Sequence, residues 1–247
     1  MKRLNVLFML FSVFNTSQSY AQKSWCFGFG VATSIVGQKS TNEIVDRYNE
    51  TRPWLDKKMS KPNPFGGYVY SFAVDKGDYS FQLGVNLQKS ILKASGTAPS
   101  GIYGERQLMI KNSFWSFNGL WDFGSMWGES YGLGVNLGGA FGGGDYYTKI
   151  TGEDEFRKIR NTGYDGAGLF LGIFYEPYLL GHEEQGISFR ITPYMRGLPG
   201  SKLNVDDTKE LLAELDPVNA QTIGVETSTN NHIAFGVSAE LIFRLER

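Results

Sequence analysis

The sequence has few of the residues that build covalent or metal-based frameworks. It contains one cysteine, Cys26, and two histidines, His182 and His232, among 247 residues. A single cysteine excludes a network of internal disulfides. Two isolated histidines give no metal-ligand spacing. The formal net charge is only −1, so charge gives no reason to expect a nucleic-acid partner.

Long hydrophobic runs are also missing after the first residues. No later stretch reaches the roughly 18 consecutive apolar residues that a transmembrane helix needs. The start of the chain is different, because Lys2 and Arg3 precede an apolar stretch at 4–14. Ser19 and Ala21 are small residues at the two positions that a signal peptidase recognises. The sequence therefore predicts a signal peptide over 1–21, removed when the chain is exported.

Glycine and aromatic residues are abundant, with 31 glycines and 15% aromatics. That combination in short runs is typical of proteins with many β-strands. After the signal peptide the dominant period is two, with bulky apolar residues alternating with Gly, Ala, Ser, Asn and Gln. Eight such runs predict eight strands, at 25–35, 65–74, 79–88, 114–123, 131–141, 168–176, 187–196 and 233–245.

The lengths of these runs and of their connections favour a membrane barrel. The runs exceed the roughly 5–6 residues of a typical strand and match the roughly 9–11 that cross a bilayer. Short and long connections alternate, as in barrels with short periplasmic turns and long extracellular loops. The predicted turns are 75–78, 124–129 and 179–185, and the predicted outer loops are 38–63, 93–105, 143–165 and 197–231.

The size of the side chains decides which face of each strand points outward. Eight strands enclose little volume, so the bulky residues cannot all point inward and must face lipid. An aromatic girdle near the periplasmic strand ends supports this orientation, and its predicted members are Trp25, Phe72, Tyr79, Trp121, Phe123, Tyr131, Tyr175, Tyr178 and Phe243. We therefore predict an all-β fold, an eight-stranded antiparallel up-and-down transmembrane β-barrel. A soluble secreted barrel is the alternative.

The last run carries a family resemblance. Gly236 is followed by alternating apolar residues through Leu241, Phe243 and Leu245, although the chain ends on Glu246-Arg247 and not on an aromatic residue. With the loop order, this resembles the small outer-membrane β-barrels typified by the OmpA membrane domain and OmpX, over 22–247. The resemblance implies an integral outer-membrane protein with periplasmic N- and C-termini. It also implies outer-membrane lipids and the barrel-assembly machinery as partners.

Charged residues at the alternate positions that face into the barrel are the most informative polar feature, because isolated charges in a barrel interior are costly. A turn centred on Glu183 would place Glu176 opposite Arg190. We therefore expect an interior charge network that fills and pins the barrel, formed by Glu176, Arg190, Arg196, Glu240 and Arg244. A narrow gated channel is the alternative function for these residues.

Two lysines lie at outward-facing positions just beyond the apolar part of their strands. Lys89 and Lys111 continue the outward faces of the third and fourth strands. Long lysine side chains can reach the membrane interface, so both are candidates to contact lipid phosphates. Two merely solvated lysines are the alternative.

No catalytic, cofactor-binding or metal-binding residues are predicted. A lipid A-modifying enzyme would need His232 at the outer rim, and this is kept as an alternative to a non-enzymatic protein. In the last outer loop, 206–215 has acidic residues first and leucines after, which predicts a short helix. The main hypothesis is a structural platform whose outer loops contact ligands or partners that the sequence does not identify.

Overall fold

Strands make up most of the chain. The computed structural model describes residues 24–37, 39–75, 79–123, 131–181, 186–198, 213 and 232–246. The predicted signal peptide and most of the last outer loop, including nearly all of the predicted helix, lie outside these ranges. No described helix is both long and apolar enough to cross a bilayer. The elements in order are β1 (Ser24–Val36), α1 (Lys39–Glu50), β2 (Leu55–Lys57), β3 (Phe65–Asp75), β4 (Tyr79–Thr97), β5 (Tyr103–Asp122), β6 (Tyr131–Ile150), β7 (Arg157–Gly181), β8 (Gly186–Leu198) and β9 (His232–Glu246).

Strands β1 and β3 to β9 form a closed antiparallel barrel. β1 pairs with β3 on one side and with β9 on the other, and the β4–β5 pairing completes the ring. Ser24 lies opposite both Asp75 and Glu246, so the start of β1 and the end of β9 share one end of the barrel. We call this the inner end and the opposite one the outer end. The predicted eight-stranded up-and-down barrel is thus confirmed.

Inward and outward residues alternate in the predicted phase along all eight strands. In β3, Val69 and Ala73 are buried, whereas Tyr68 and Tyr70 are 61% and 49% exposed. The large exposed side chains of the other strands include Phe27, Phe29, Trp115, Phe117, Leu137, Leu171, Ile173, Phe235 and Leu245. A continuous apolar surface of this kind on the outside of a barrel is compatible with lipid and not with water.

Glycines on the inward parity allow the strands to close around a narrow lumen. A Cβ atom at Gly138 would lie 1.9 Å from the backbone oxygen of Phe117. At Gly134 it would lie 1.9 Å from the backbone oxygen of Trp121 and 2.7 Å from the Phe174 ring. Neither backbone oxygen can move without breaking the sheet, so these two positions require glycine.

Four strands extend much further than predicted at the outer end. β4 continues to Thr97 and β5 begins at Tyr103, so most of the loop predicted at 93–105 is wrong. The loop predicted at 143–165 is wrong for the same reason, because β6 runs to Ile150 and β7 starts at Arg157. These segments pair with each other as hairpins, and cross-strand pairing satisfies the backbone where a loop would need water.

The first outer loop, 38–63, contains a helix. Ile44, Val45 and Tyr48 of α1 are buried, together with Leu55 and Met59 after the helix. They pack on inward residues from all eight barrel strands, namely Val36, Phe65, Leu92, Ala94, Leu108, Ile110, Phe114, Ala140, Tyr146, Ile159, Leu198 and Ala234. We call the segment 39–59 the outer plug, because its apolar side chains fill the outer end of the lumen.

Candidate functional site

The inner part of the lumen contains a buried charge cluster centred on Glu176, which is 1% exposed. Arg190 donates to one carboxylate oxygen from Nε and Nη2, both at 2.6 Å. Arg244 Nη2 lies 2.5 Å from the other oxygen, which also accepts a hydrogen bond from the Ser188 hydroxyl. Arg244 Nη1 in turn donates to Ser188 Oγ at 2.7 Å. Both carboxylate oxygens therefore have cationic donors, the condition under which a buried ion pair is tolerated.

The strand register explains this cluster. The pair Tyr175–Ile191 between β7 and β8 puts the next inward residues, Glu176 and Arg190, opposite each other. Gly186 of β8 pairs with Arg244 of β9, so the second guanidinium approaches from the other side. The guanidinium carbon of Arg244 lies 5.2 Å from the centre of the Tyr178 ring. Tyr178 thus faces the lumen, and its predicted place in the lipid-facing girdle is wrong.

The other two predicted interior charges are buried but lie outside this cluster. Glu240, opposite Arg190 in the sheet register, accepts hydrogen bonds from Ser71 at 2.8 Å and Ser238 at 3.2 Å. The guanidinium carbon of Arg196 lies 3.3 Å from the centre of the Phe114 ring, within the apolar core of the outer plug. The structure therefore joins Glu176, Arg190 and Arg244 by direct ion pairs, places Glu240 beside Arg190 without such a pair, and puts Arg196 further out on the ring of Phe114.

A small polar cavity lies in the middle of the barrel. Its volume is about 40 Å³ and its lining includes Gln82, Asn118, Asn136, Tyr194 and Glu240. Asn136 Nδ2 donates to Gln82 Oε1 at 3.2 Å across the lumen. A polar cavity of this size accommodates water molecules. It has the plug on its outer side and the charge cluster on its inner side.

A side-chain hydrogen bond ties the plug to the barrel wall, in addition to the pairing of β2 with β4. The hydroxyls of Thr41 on α1 and Tyr146 on β6 are 2.7 Å apart. Both side chains are at most 1% exposed. Burial raises the pKa of Tyr146 to about 12, and the hydrogen bond to Thr41 opposes that rise. The phenol is therefore neutral at physiological pH and can donate or accept in this bond.

The outward face carries aromatic contacts near the inner end and lysines further out. Trp25 stacks on Phe72 with ring centres 5.3 Å apart, and Tyr131 lies 5.6 Å from Tyr175. Lys89 of β4 and Lys111 of β5 are directly opposite each other, and both are exposed. Lys111 Nζ lies 4.5 Å from the centre of the Tyr147 ring, a cation–π contact.

The described residues contain no group of three or more His, Cys, Asp and Glu side chains that could hold a metal ion. His182 lies outside the described ranges, and His232 is described only through its backbone, which pairs with Leu198.

The closed eight-stranded barrel with an apolar exterior and a polar lumen defines a transmembrane β-barrel. No protein-family model matches the sequence, and no curated protein matches it in sequence. Among solved structures, the chain is similar to Ail, the attachment invasion locus protein of Yersinia pestis, in complex with the heparin analogue sucrose octasulfate. The identity is 8% and the TM-score 0.44, over 91% of this chain and 99% of that one. It is also similar to the outer membrane protein OprG from Pseudomonas aeruginosa, with 9% identity and a TM-score of 0.39, over 93% and 99% of the two chains.

The outer plug is the feature that sequence reasoning missed. A signal was present, because Ile44, Val45 and Tyr48 recur at helical spacing between polar residues. The surrounding segment, 38–63, combines acids, bases and polar residues, which favoured an irregular loop. Arg196 was grouped with the other interior charges only because it lies at an inward-facing position of its strand. The alternation of inward and outward positions does not show how far along the lumen a side chain lies.

Proposed function

We propose that this chain is a non-enzymatic integral protein of the outer membrane. Its barrel is a closed platform, and its outer hairpins and loops contact ligands or partners at the cell surface. Insertion uses the barrel-assembly machinery, and both termini lie in the periplasm. The observation that carries the proposal is the double closure of the lumen, by the Glu176 cluster inside and the outer plug outside. A barrel closed at both ends by buried side chains serves as a scaffold rather than as a pore.

Cysteine labelling in intact cells tests the location and the orientation together. The native Cys26 is buried in the lumen, so it gives little background. Ser100→Cys is exposed on the turn between β4 and β5, and Ser125→Cys falls in the turn predicted at 124–129. A membrane-impermeant maleimide should label the first variant on intact cells, and the second only after the outer membrane is permeabilised. The reverse pattern would overturn the orientation, and recovery of the protein in the soluble periplasmic fraction would overturn the location.

The polar cavity is the one observation that favours a narrow gated channel. That function predicts single-channel steps in planar bilayers, and replacement of Arg190 should change their size. The platform predicts that the wild-type protein is silent. An enzyme acting on lipid A would depend on His232, so unchanged lipid A in cells that carry His232→Ala supports the non-enzymatic proposal.

A further inference from the structure

A groove of about 530 Å³ runs across the outward surface of β9, β1, β3 and β4. That volume lies within the range of small-molecule binding sites. We call it the side groove. Its lining comprises Val31, Ala32, Thr33, Gly66, Gly67, Tyr68, Lys89, Val237 and Ala239.

Small outward residues create this groove. Gly66, Thr33 and Ala239 stand on the outward face, where most other positions carry large side chains. A Cβ at Gly66 would meet no atom within 4 Å, so packing does not require glycine there. The Thr33 hydroxyl donates to the backbone oxygen of Phe65 at 3.1 Å, which satisfies its polar group within the sheet. The floor of the groove is therefore apolar and suits a hydrocarbon chain.

The outer end of the groove is positively charged. Lys89 lies opposite Gly66 on one side and opposite Lys111 on the other. Like charges directly opposite each other on one face of a sheet are destabilising unless they are compensated. Within the described residues, no carboxylate forms an ion pair with Lys89. Lys111 has Asp145 opposite it on β6, although that carboxylate pairs with Lys158 at 2.8 Å. A bound anion would therefore act chiefly on Lys89 and would offset its repulsion with Lys111.

We propose that the side groove binds one acyl chain of a phosphate-bearing lipid of the outer leaflet, with the phosphate on Lys89 and Lys111. The cationic end of the groove lies towards the outer surface of the membrane, where the phosphate of such a lipid lies. The apolar floor lies deeper, where its acyl chain lies. The inference rests on the proposed outer-membrane location, and it adds a defined lipid partner to the platform.

Native mass spectrometry of the purified protein in a non-ionic detergent tests the inference, with bis-phosphorylated lipid A as the probe. Lys89→Gln should weaken retention of lipid A about fivefold, the effect of one interfacial cation. Lys93→Gln is the matched control, because this exposed lysine lies further out on the same face of β4 and outside the groove. Gly66→Phe should reduce retention of both phosphorylated and dephosphorylated lipid A, since it fills the place of the chain. Each variant is first checked for a heat-dependent shift in gel mobility, which shows that the barrel is folded.

Equal weakening by Lys89→Gln and Lys93→Gln would overturn the proposed site, because binding would then depend only on general charge. Unchanged binding by Gly66→Phe would overturn the part played by the groove. The experiment uses folded protein in detergent, so it can fail while cell labelling still supports the outer-membrane location. Conversely, a soluble location in cells would overturn the proposed function without depending on this measurement.

Discussion

Replacing Glu176 with Gln removes the one anion that both buried guanidinium groups contact. The side chain keeps its size, but its amide nitrogen then faces a cation. Arg190 and Arg244 are 4% and 6% exposed, so water cannot take the place of the lost carboxylate. Breaking a buried ion pair by removing one partner typically costs about 3–5 kcal/mol. That is a large part of the roughly 5–15 kcal/mol by which folded domains are stable.

Urea unfolding in lipid vesicles, followed by tryptophan fluorescence, would measure this loss. The slope against urea should stay unchanged while the midpoint falls, which shows that stability and not compactness has changed. Lys158→Gln is the control, because it removes a half-exposed ion pair with Asp145, 2.8 Å long. Exposed pairs contribute at most about 1 kcal/mol. A loss for Glu176→Gln no larger than that of the control would refute the view that this cluster holds the inner barrel together.

Three further variants probe the lumen, and a fourth, Gly104→Ala, is the control for the first. Gly138→Val should prevent the barrel from closing and abolish the heat-dependent gel shift, because its Cβ would lie 1.9 Å from the Phe117 backbone oxygen. Gly104→Ala, with no atom within 4 Å, should fold normally. The buried neutral Tyr146 contributes stability that is complete below pH 10 and lost as pH rises through about 12. The loss amounts to about 3 kcal/mol from a shift of that size, so Tyr146→Phe should flatten the fall of unfolding free energy between those two pH values. Val45→Asp puts a charge at a position that is 0% exposed and should loosen the plug, so that a protease added to the folded protein cuts 39–59 faster than in the wild type. Cleavage no faster than in the wild type, with a folded barrel, would mean that burial of Val45 is not what holds the plug in place.

The barrel could be predicted from the sequence because the alternation of side-chain size is local. Each strand shows its two faces in its own residues, as Tyr68 and Tyr70 against Val69 do in β3. The contact between Glu176 and Arg190 was also predicted, from a turn centred on Glu183, and the structure reaches this pairing through a register shift between Tyr178 and Leu180. Both inferences needed only neighbouring residues and the narrowness of an eight-stranded lumen.

The outer end could not be predicted in the same way. In β6 the residues Gly142, Gly143 and Gly144 have no side chains, so the size pattern is interrupted there although the hydrogen-bonded pairing goes on. The plug depends on contacts between α1 and inward residues of all eight strands, which are distant in sequence. Tyr178 is a different case, because it is two residues from the inward Glu176 and pairs in the same register with the buried Ser188, so the alternation itself places it inside and its prediction as a girdle residue departed from that pattern.

Because the strands differ in length, the barrel wall is not equally tall on all sides. β5 and β6 have 20 residues each, and β1 and β8 have 13. At about 3.3 Å per residue, the longer strands extend about 23 Å further along their own direction, which is about 18 Å of height for the usual strand tilt of about 40°. Among the described strands, those of the β4–β5 and β6–β7 hairpins therefore reach furthest at the outer end. Neighbouring proteins that pack against the two flanks would therefore find different surfaces, so the barrel can be oriented laterally as well as across the membrane.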